Sequence, residues 1–275
     1  IARGIQSPSM ISSWEEAWHI EMKNKSLCLS EQMKQLLTSA WKNTFSLFDK
    51  NLDDFSPQQI SIETEIPLGG GMGGSAAISS SFVRICARLF DKTLTYEEEV
   101  YFANKIDSLF HFGKASGLDV STVLGNNFIL FKKGAEPKAL NACADFWVAL
   151  VDTEERSETA IMVKKVSDQV DAKRIDTLHA LEHLGVLTNK CVNELLSSNI
   201  HALAHLLNEA HELLCLLGVS TDKINTLCHD LKNQGALCAK LTGAGGGGLV
   251  LSLFTQKPDH LFERYGYDKV FLTQI

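Results

Sequence analysis

The sequence predicts an α+β protein of two domains organised around two glycine-rich loops. Three observations carry this. Strand-like and helix-like stretches are mixed along the chain. A tract of about residues 160–234 reads as mostly helical, with strand-like segments before and after it. The stretches "PLGGGMGGSAA" (67–77) and "KLTGAGGGGLVL" (240–251) hold 10 of the 19 glycines.

Each element follows from its local pattern. "QISIETEI" (59–66) places Ile60, Ile62, Thr64 and Ile66 on one side and Ser61, Glu63 and Glu65 on the other. That alternation predicts a half-exposed strand of the antiparallel kind. After the first glycine loop, "SAAISSSFVRICARLF" (75–90) spaces Ala76, Ala77, Phe82, Val83, Cys86, Leu89 and Phe90 near a helical repeat. Ser75 or Gly74 is its expected N-cap. Thr95 and Glu98 form a capping-box pattern opening a helix over about 96–110. The loop "HFGKASGLD" (111–119) follows. "NNFILFKKG" (126–134) and "ADFWVALVDT" (144–153) read as strands around a turn. Beyond the helical tract, "GALCAKL" (235–241) and "LVLSLF" (249–254) read as strands flanking the second glycine loop, and "KVFLTQI" (269–275) as a last strand. The boundary falls near 140–145, giving domains of 1–143 and 144–275.

Composition excludes several classes of function. The 275 residues are 45% hydrophobic and 21% charged, which is globular. No apolar run approaches the roughly 18 residues of a membrane span. A net charge of -7 argues against nucleic acid or an anionic membrane as the main partner and leaves small molecules. The cysteines, Cys28, Cys86, Cys143, Cys191, Cys215, Cys228 and Cys238, are odd in number, scattered and without CxxC spacing. They fit free thiols in a reducing cytoplasm, and no signal-peptide pattern is seen. The oligomeric state stays open, a homodimer included.

Both loops satisfy GxGxxG, from Gly69 to Gly74 and from Gly243 to Gly248. A dinucleotide loop, however, joins a buried parallel strand to a helix, with another strand and an acidic residue about 20 residues on. Here the upstream strand alternates, a second helix follows the first, and the second loop runs into a strand. A P-loop fails as well, because neither loop contains Gly-Lys-Ser/Thr. What remains is a phosphate cradle of another kind. Glycines let backbone N–H groups approach a polyphosphate with no Cβ in the way. The helix near Ser75 points free N–H groups and its positive dipole end at the loop. A flexible surface loop would need only one or two glycines. The cradle comprises Pro67, Gly69, Gly70, Gly71, Met72, Gly73, Gly74, Ser75 and Ala76, with the Ser75 hydroxyl offered to phosphate or metal.

"PLGGGMGGSAA" resembles the central motif of the GHMP small-molecule kinases, and "KLTGAGGGGLVLSL" their C-terminal motif. "GKASGLD" (113–119) and "LNEAHELLCLLGVS" (207–220) extend the resemblance, which is nearest to the mevalonate kinases. It implies a two-lobed fold, an N-terminal domain of the ribosomal protein S5 domain 2 type and a ferredoxin-like C-terminal domain. It also implies ATP-dependent phosphorylation of the primary alcohol of mevalonate, with ATP and Mg²⁺ bound. Phosphomevalonate kinase is the alternative, and a non-catalytic ligand sensor on the same fold a more distant one.

By the same resemblance Asp119 is the catalytic aspartate, accepting the alcohol proton or orienting the alcohol. Lys114, Ser116 and Gly117 belong to its loop. Asp107, one helical turn before His111, holds the metal together with Ser75, although direct spacing from Asp119 falls on Ser108. Thr242, Gly243, Ala244, Gly245 and Gly246 shape the active site, with Thr242 toward substrate. Lys240 is expected on an exposed strand face. The family usually has two serines where this chain has Gly74 and Ser75. Its first motif, containing Gly-Glu-His, would lie upstream of Ile1, so the natural chain is expected to extend further.

Two other signals are set aside. "HALEH" (179–183) matches a metalloprotease pattern but has no evident third ligand. Trp14, Trp18 and Trp41 read as core rather than as a base-stacking platform.

Overall fold

A computed structural model describes residues 11–22, 25–66, 72–111, 113, 115–125, 128–132, 134–156 and 159–275. They divide into two compact units, one through Lys138 and one from Ala139.

The first unit begins with a 3-10 turn (Trp14–Ala17), β1 (Trp18–Met22) and β2 (Lys25–Ser26). Next comes α1 (Glu31–Leu47), capped by the Ser30 side chain, which accepts from the Met33 N–H at 3.2 Å. A second 3-10 turn (Leu52–Asp54) leads to β3 (Ile60–Thr64). Then follow α2 (Gly74–Leu89), α3 (Tyr96–Phe110), α4 (Leu118–Leu124) and β4 (Phe128–Leu130).

Its core is aromatic. Trp18 and Trp41 are buried and pack on Phe82 of α2, with ring centroids 5.6 and 5.0 Å apart. Pairs of this kind contribute about 0.5–1.5 kcal/mol beyond the area they bury. Leu37, Ala40, Val83, Cys86, Ala103 and Ile106 complete a stripe on α1, α2 and α3. The expected capping box at Thr95 and Glu98 is present, which fixes the start of α3.

Three sequence expectations are corrected here. β3 is half-exposed, as its alternation requires, but it pairs with β1 in parallel, Trp18 opposite Ile60 and Met22 opposite Thr64. Alternation reports one solvated face and does not fix strand direction. The N-cap of α2 is Gly73, with φ +69°, rather than Gly74 or Ser75. A glycine adopts that left-handed entry without strain, and Ser75 is thereby moved into the first turn. Finally, β4 and β6 (Trp147–Asp152) are not consecutive, because β5 (Lys138–Leu140) intervenes and β6 pairs with later strands.

The second unit contains β6, the helices α5 (Thr159–Asp171), α6 (Ile175–Leu196), α7 (Ile200–Leu216) and α8 (Asp222–Asn233), then β7 (Cys238–Leu241), β8 (Leu249–Phe254), α9 (His260–Tyr265) and β9 (Val270–Gln274). The four strands form an antiparallel sheet in the order β7-β8-β6-β9. With helices after the first and third strands, this is the βαββαβ ferredoxin-like topology, its first crossover enlarged to four helices. Cys228, Leu231, Leu241, Val250 and Leu261 are buried in its core. All seven cysteines are free, and no described helix is long and apolar enough to cross a membrane.

Candidate active site

In the first unit, the site is built where α2 begins. Gly73 enters α2 in a left-handed conformation and no side chain caps the helix. The first intrahelical bond at this end runs from the Ala77 N–H to the Gly73 carbonyl at 2.9 Å. The N–H groups of Gly74, Ser75 and Ala76 are therefore left for an acceptor outside the helix. A Cβ on Gly73 would lie 3.8 Å from the Asp119 Cβ, so the first turn of α4 stands beside this helix end. The start of α4 is set by Gly117, φ +86°, and by the Ser116 Oγ, which accepts from the Leu118 N–H at 3.3 Å. Asp119 is thus a first-turn residue, and its side chain is exposed.

Asp107 and His111, one turn apart at the end of α3, face the same place. Ser75 Oγ lies 3.1 Å from His111 Nε2, and that nitrogen lies 3.5 Å from Asp107 Oδ1. Asp107 is only 3% exposed, and its Oδ1 has no hydrogen bond. Burial raises its pKa above the ordinary carboxylate range. Ser75 and His111 oppose that shift, and the charge of Asp119 adds to it. The fold has therefore gathered two acids, a hydroxyl and backbone donors that have no acceptor among the described residues. A cation placed among the acids would relieve both the burial and the mutual repulsion.

A cavity of about 450 Å³ flanks the helix end, with Ile62, Ile66, Ala77 and Ile78 among its walls. Glu63 and Glu65 also line it, so it disfavours phosphate. Of the cradle predicted from sequence, Met72, Gly73, Gly74, Ser75 and Ala76 are described. Pro67, Gly69, Gly70, Gly71 and Lys114 lie outside the described residues.

In the second unit, the loop from Thr242 to Gly248 is held by its own chain. The carbonyl of Val219 accepts the Gly246 N–H at 2.7 Å, and that of Glu155 accepts the Gly248 N–H at 2.9 Å. A Cβ on Gly245 would lie 2.2 Å from the Val219 oxygen, and one on Gly247 2.7 Å from the Glu155 oxygen. No side chain fits at either place. Thr153 closes the end of the loop, its hydroxyl donating to the Gly248 carbonyl at 2.7 Å. Thr221 Oγ1 donates to Glu155 Oε2 at 2.9 Å and ties the two clamps together. Thr242 Oγ1 donates to the Leu249 carbonyl at 3.0 Å, and nothing lies within 4 Å of where a Gly243 Cβ would be.

Lys240 is not on an exposed face. It is largely enclosed, its Nζ donates to the Leu241 carbonyl at 2.7 Å, and burial lowers its pKa. His111, Val219 and Glu155 have roles here that the sequence did not predict. The first was legible as the i+4 partner of Asp107. The other two act through backbone carbonyls, which leave no residue-type signal. In the set-aside HALEH stretch, His183 pairs with Glu209 at 3.0 Å.

Two family models match the chain. The GHMP kinases N terminal domain family matches residues 35–126, and the GHMP kinases C terminal family matches residues 191–266. The chain belongs to the GHMP kinases. Within that family it is 32% identical to a mevalonate kinase of Pyrococcus horikoshii over 200 residues, 70% of this chain and 58% of the relative. It is 27% identical to a mevalonate kinase of Aeropyrum pernix, over 73% of this chain and 62% of the relative. The chain thus spans about three fifths of the length of such curated relatives. Among solved structures, L. major mevalonate kinase in complex with R-mevalonate matches with a TM-score of 0.78 at 20% identity, covering 88% of this chain and 76% of that one. A mevalonate kinase from methicillin-resistant Staphylococcus aureus matches with a TM-score of 0.64 at 28% identity, over 86% and 76%.

Proposed function

We propose that this chain carries the catalytic residues of an ATP-dependent kinase that phosphorylates the primary alcohol of mevalonate to 5-phosphomevalonate. The observation that carries the reading is the convergence of Ser75, Asp107 and Asp119 on the uncapped start of α2, in a chain whose relatives are mevalonate kinases.

Phosphoryl transfer asks for positioning and charge neutralisation more than covalent chemistry. The N–H groups of Gly74, Ser75 and Ala76 receive the phosphate oxygens of ATP. Asp119, exposed beside them, orients the alcohol and accepts its proton as the new O–P bond forms and the bond to ADP breaks. The residues fit magnesium, whose hard oxygen preference matches the Asp107 Oδ1, buried without a hydrogen bond, and the Ser75 hydroxyl. Among the described residues no three His, Cys, Asp or Glu side chains gather as a metal site; magnesium is usually held by one or two carboxylates together with substrate phosphates, a part that Asp107 would play. When bound, the ion neutralises charge on the transferred group. Asp107 and Ser75 would hold it, with His111 orienting both.

Turnover of ATP by the natural full-length protein, measured against mevalonate, phosphomevalonate, homoserine and galactose, tests the reading. Turnover with mevalonate alone is expected. Turnover with phosphomevalonate alone would move the substrate one step along, and none with any alcohol would sink the kinase assignment.

A further inference from the structure

The second unit contains a thiol, an imidazole and an amide that phosphoryl transfer does not use. Cys215 lies in the last turn of α7 and is partly exposed. His211, one turn earlier, is 8% exposed, and its Nε2 lies 3.7 Å from the Cys215 Sγ. The Leu241 N–H points at the other ring nitrogen, Nδ1, at 3.5 Å. With Nδ1 accepting, the neutral ring carries its hydrogen on Nε2 and aims it at the sulfur, a tautomer assigned from these partners. Burial, then the nearby charges of Lys240 and Lys232, lowers the His211 pKa and keeps the ring in this form. The thiol of Cys215 in turn donates to Asn225 Oδ1 at 3.3 Å, an oxygen that also accepts from Ser220 Oγ at 2.7 Å.

These bonds reach both ends of the second glycine loop. Leu241, held by His211, immediately precedes Thr242. Ser220, held by Asn225, immediately follows Val219, whose carbonyl clamps Gly246. Cys215 is the solvent-accessible link between the two. The remaining thiols are differently placed. Cys86, Cys228 and Cys238 are buried, and burial pushes each thiol up to about 12. Burial also raises the thiol of Cys191. Cys28 and Cys143 are exposed, and no described side-chain bond joins either to the loop.

We propose that Cys215 is a modification site that exchanges with small-molecule disulfides and, once modified, releases the second glycine loop. The Cys215 thiolate attacks one sulfur of the disulfide. A new S–S bond forms, the S–S bond of the reagent breaks, and its other half leaves as a thiolate. The proton from Cys215 passes to solvent and is taken up by the leaving thiolate. While the sulfur is anionic, the His211 Nε2–H faces it across 3.7 Å. The adduct has no S–H for Asn225 and places a bulky group against the Ser220 turn. That displaces Val219 from Gly246 and His211 from Leu241.

The test uses the full chain, oxidised glutathione, peptide mapping by mass spectrometry and amide hydrogen exchange. Cys215 is expected to form the mixed disulfide about tenfold faster than Cys191. The Leu241 and Gly246 amides should then exchange about tenfold faster, because local opening now releases them, and dithiothreitol should reverse both changes. In C215S, labelling of Cys28 and Cys143 should leave those amides protected. Absence of an adduct at Cys215, an adduct with unchanged exchange, or the same rise in C215S would each overturn the proposal. No readout involves phosphoryl transfer, so failure here and failure of the kinase assignment are distinguishable.

Discussion

The two glycine-rich loops look alike in sequence and use glycine for opposite purposes. At Gly73 the absent side chain permits a left-handed entry into α2, and the space around it is ordinary, with Val123 and Asp119 atoms at 3.7 and 3.8 Å from a notional Cβ. The result is a helix end whose first N–H groups find no acceptor among the described residues. At Gly245 and Gly247 the absent side chain admits the protein's own carbonyls, from Val219 and Glu155. The result is a loop pinned to its own chain, with the N–H groups of Gly246 and Gly248 already taken. A GxGxxG pattern therefore reports that backbone comes close to something, and only the fold decides whether that something is a ligand or the chain itself.

The comparison can be broken most sharply at the open loop. Asp119→Asn should lower kcat by about 10²–10⁴-fold, the usual contribution of a positioned acid or base, while ATP affinity changes little. Near-normal kcat would remove Asp119 from the chemistry. At the closed loop, Gly245→Ala should cost about 3 kcal/mol of unfolding free energy, since strain at φ +85° adds to a clash 2.2 Å from the Val219 oxygen. Gly73→Ala should cost only about 1 kcal/mol, the conformational term alone. Denaturant titration of the two variants side by side checks the contrast, and equal losses would erase it.

Asp107→Asn should go the other way in stability. Burial raises the Asp107 pKa in the folded state above its unfolded value, so the folded state binds the proton more tightly and ionisation weakens the fold as pH rises through that window. Removing the charge should raise Tm by about 2–4 °C at neutral pH, with the gain vanishing in acid, while magnesium-dependent turnover is lost. A Tm below that of the parent would show that the carboxylate is structurally satisfied.

The smallest effect is expected at Lys240, which leads into the closed loop. Its pKa is lowered, so the unfolded chain holds the proton more tightly and the ionised side chain weakens the fold at neutral pH. Lys240→Met should raise Tm slightly, and the gain should shrink as pH climbs toward the ordinary lysine value of 10.5. A constant gain would mean that packing rather than charge is responsible.

Much of this protein is set by local sequence. Thr95 and Glu98 fix the start of α3 because both capping partners lie within four residues. The apolar stripe of α2 and the run "LVLSLF" at β8 are visible for the same reason, since periodicity is a property of neighbours. Gly73, Ser75, Asp107 and Asp119 could be nominated from motif and spacing alone. Tertiary structure decided the rest. Whether β3 runs parallel depends on β1, about 40 residues away, and no alternation within β3 encodes it. That Lys240 is enclosed, that Asp107 is buried, and that Val219 and Glu155 fill the space left by two glycines are facts of long-range packing. They rest on desolvation and on backbone carbonyls, and neither is written in the identity of any single residue.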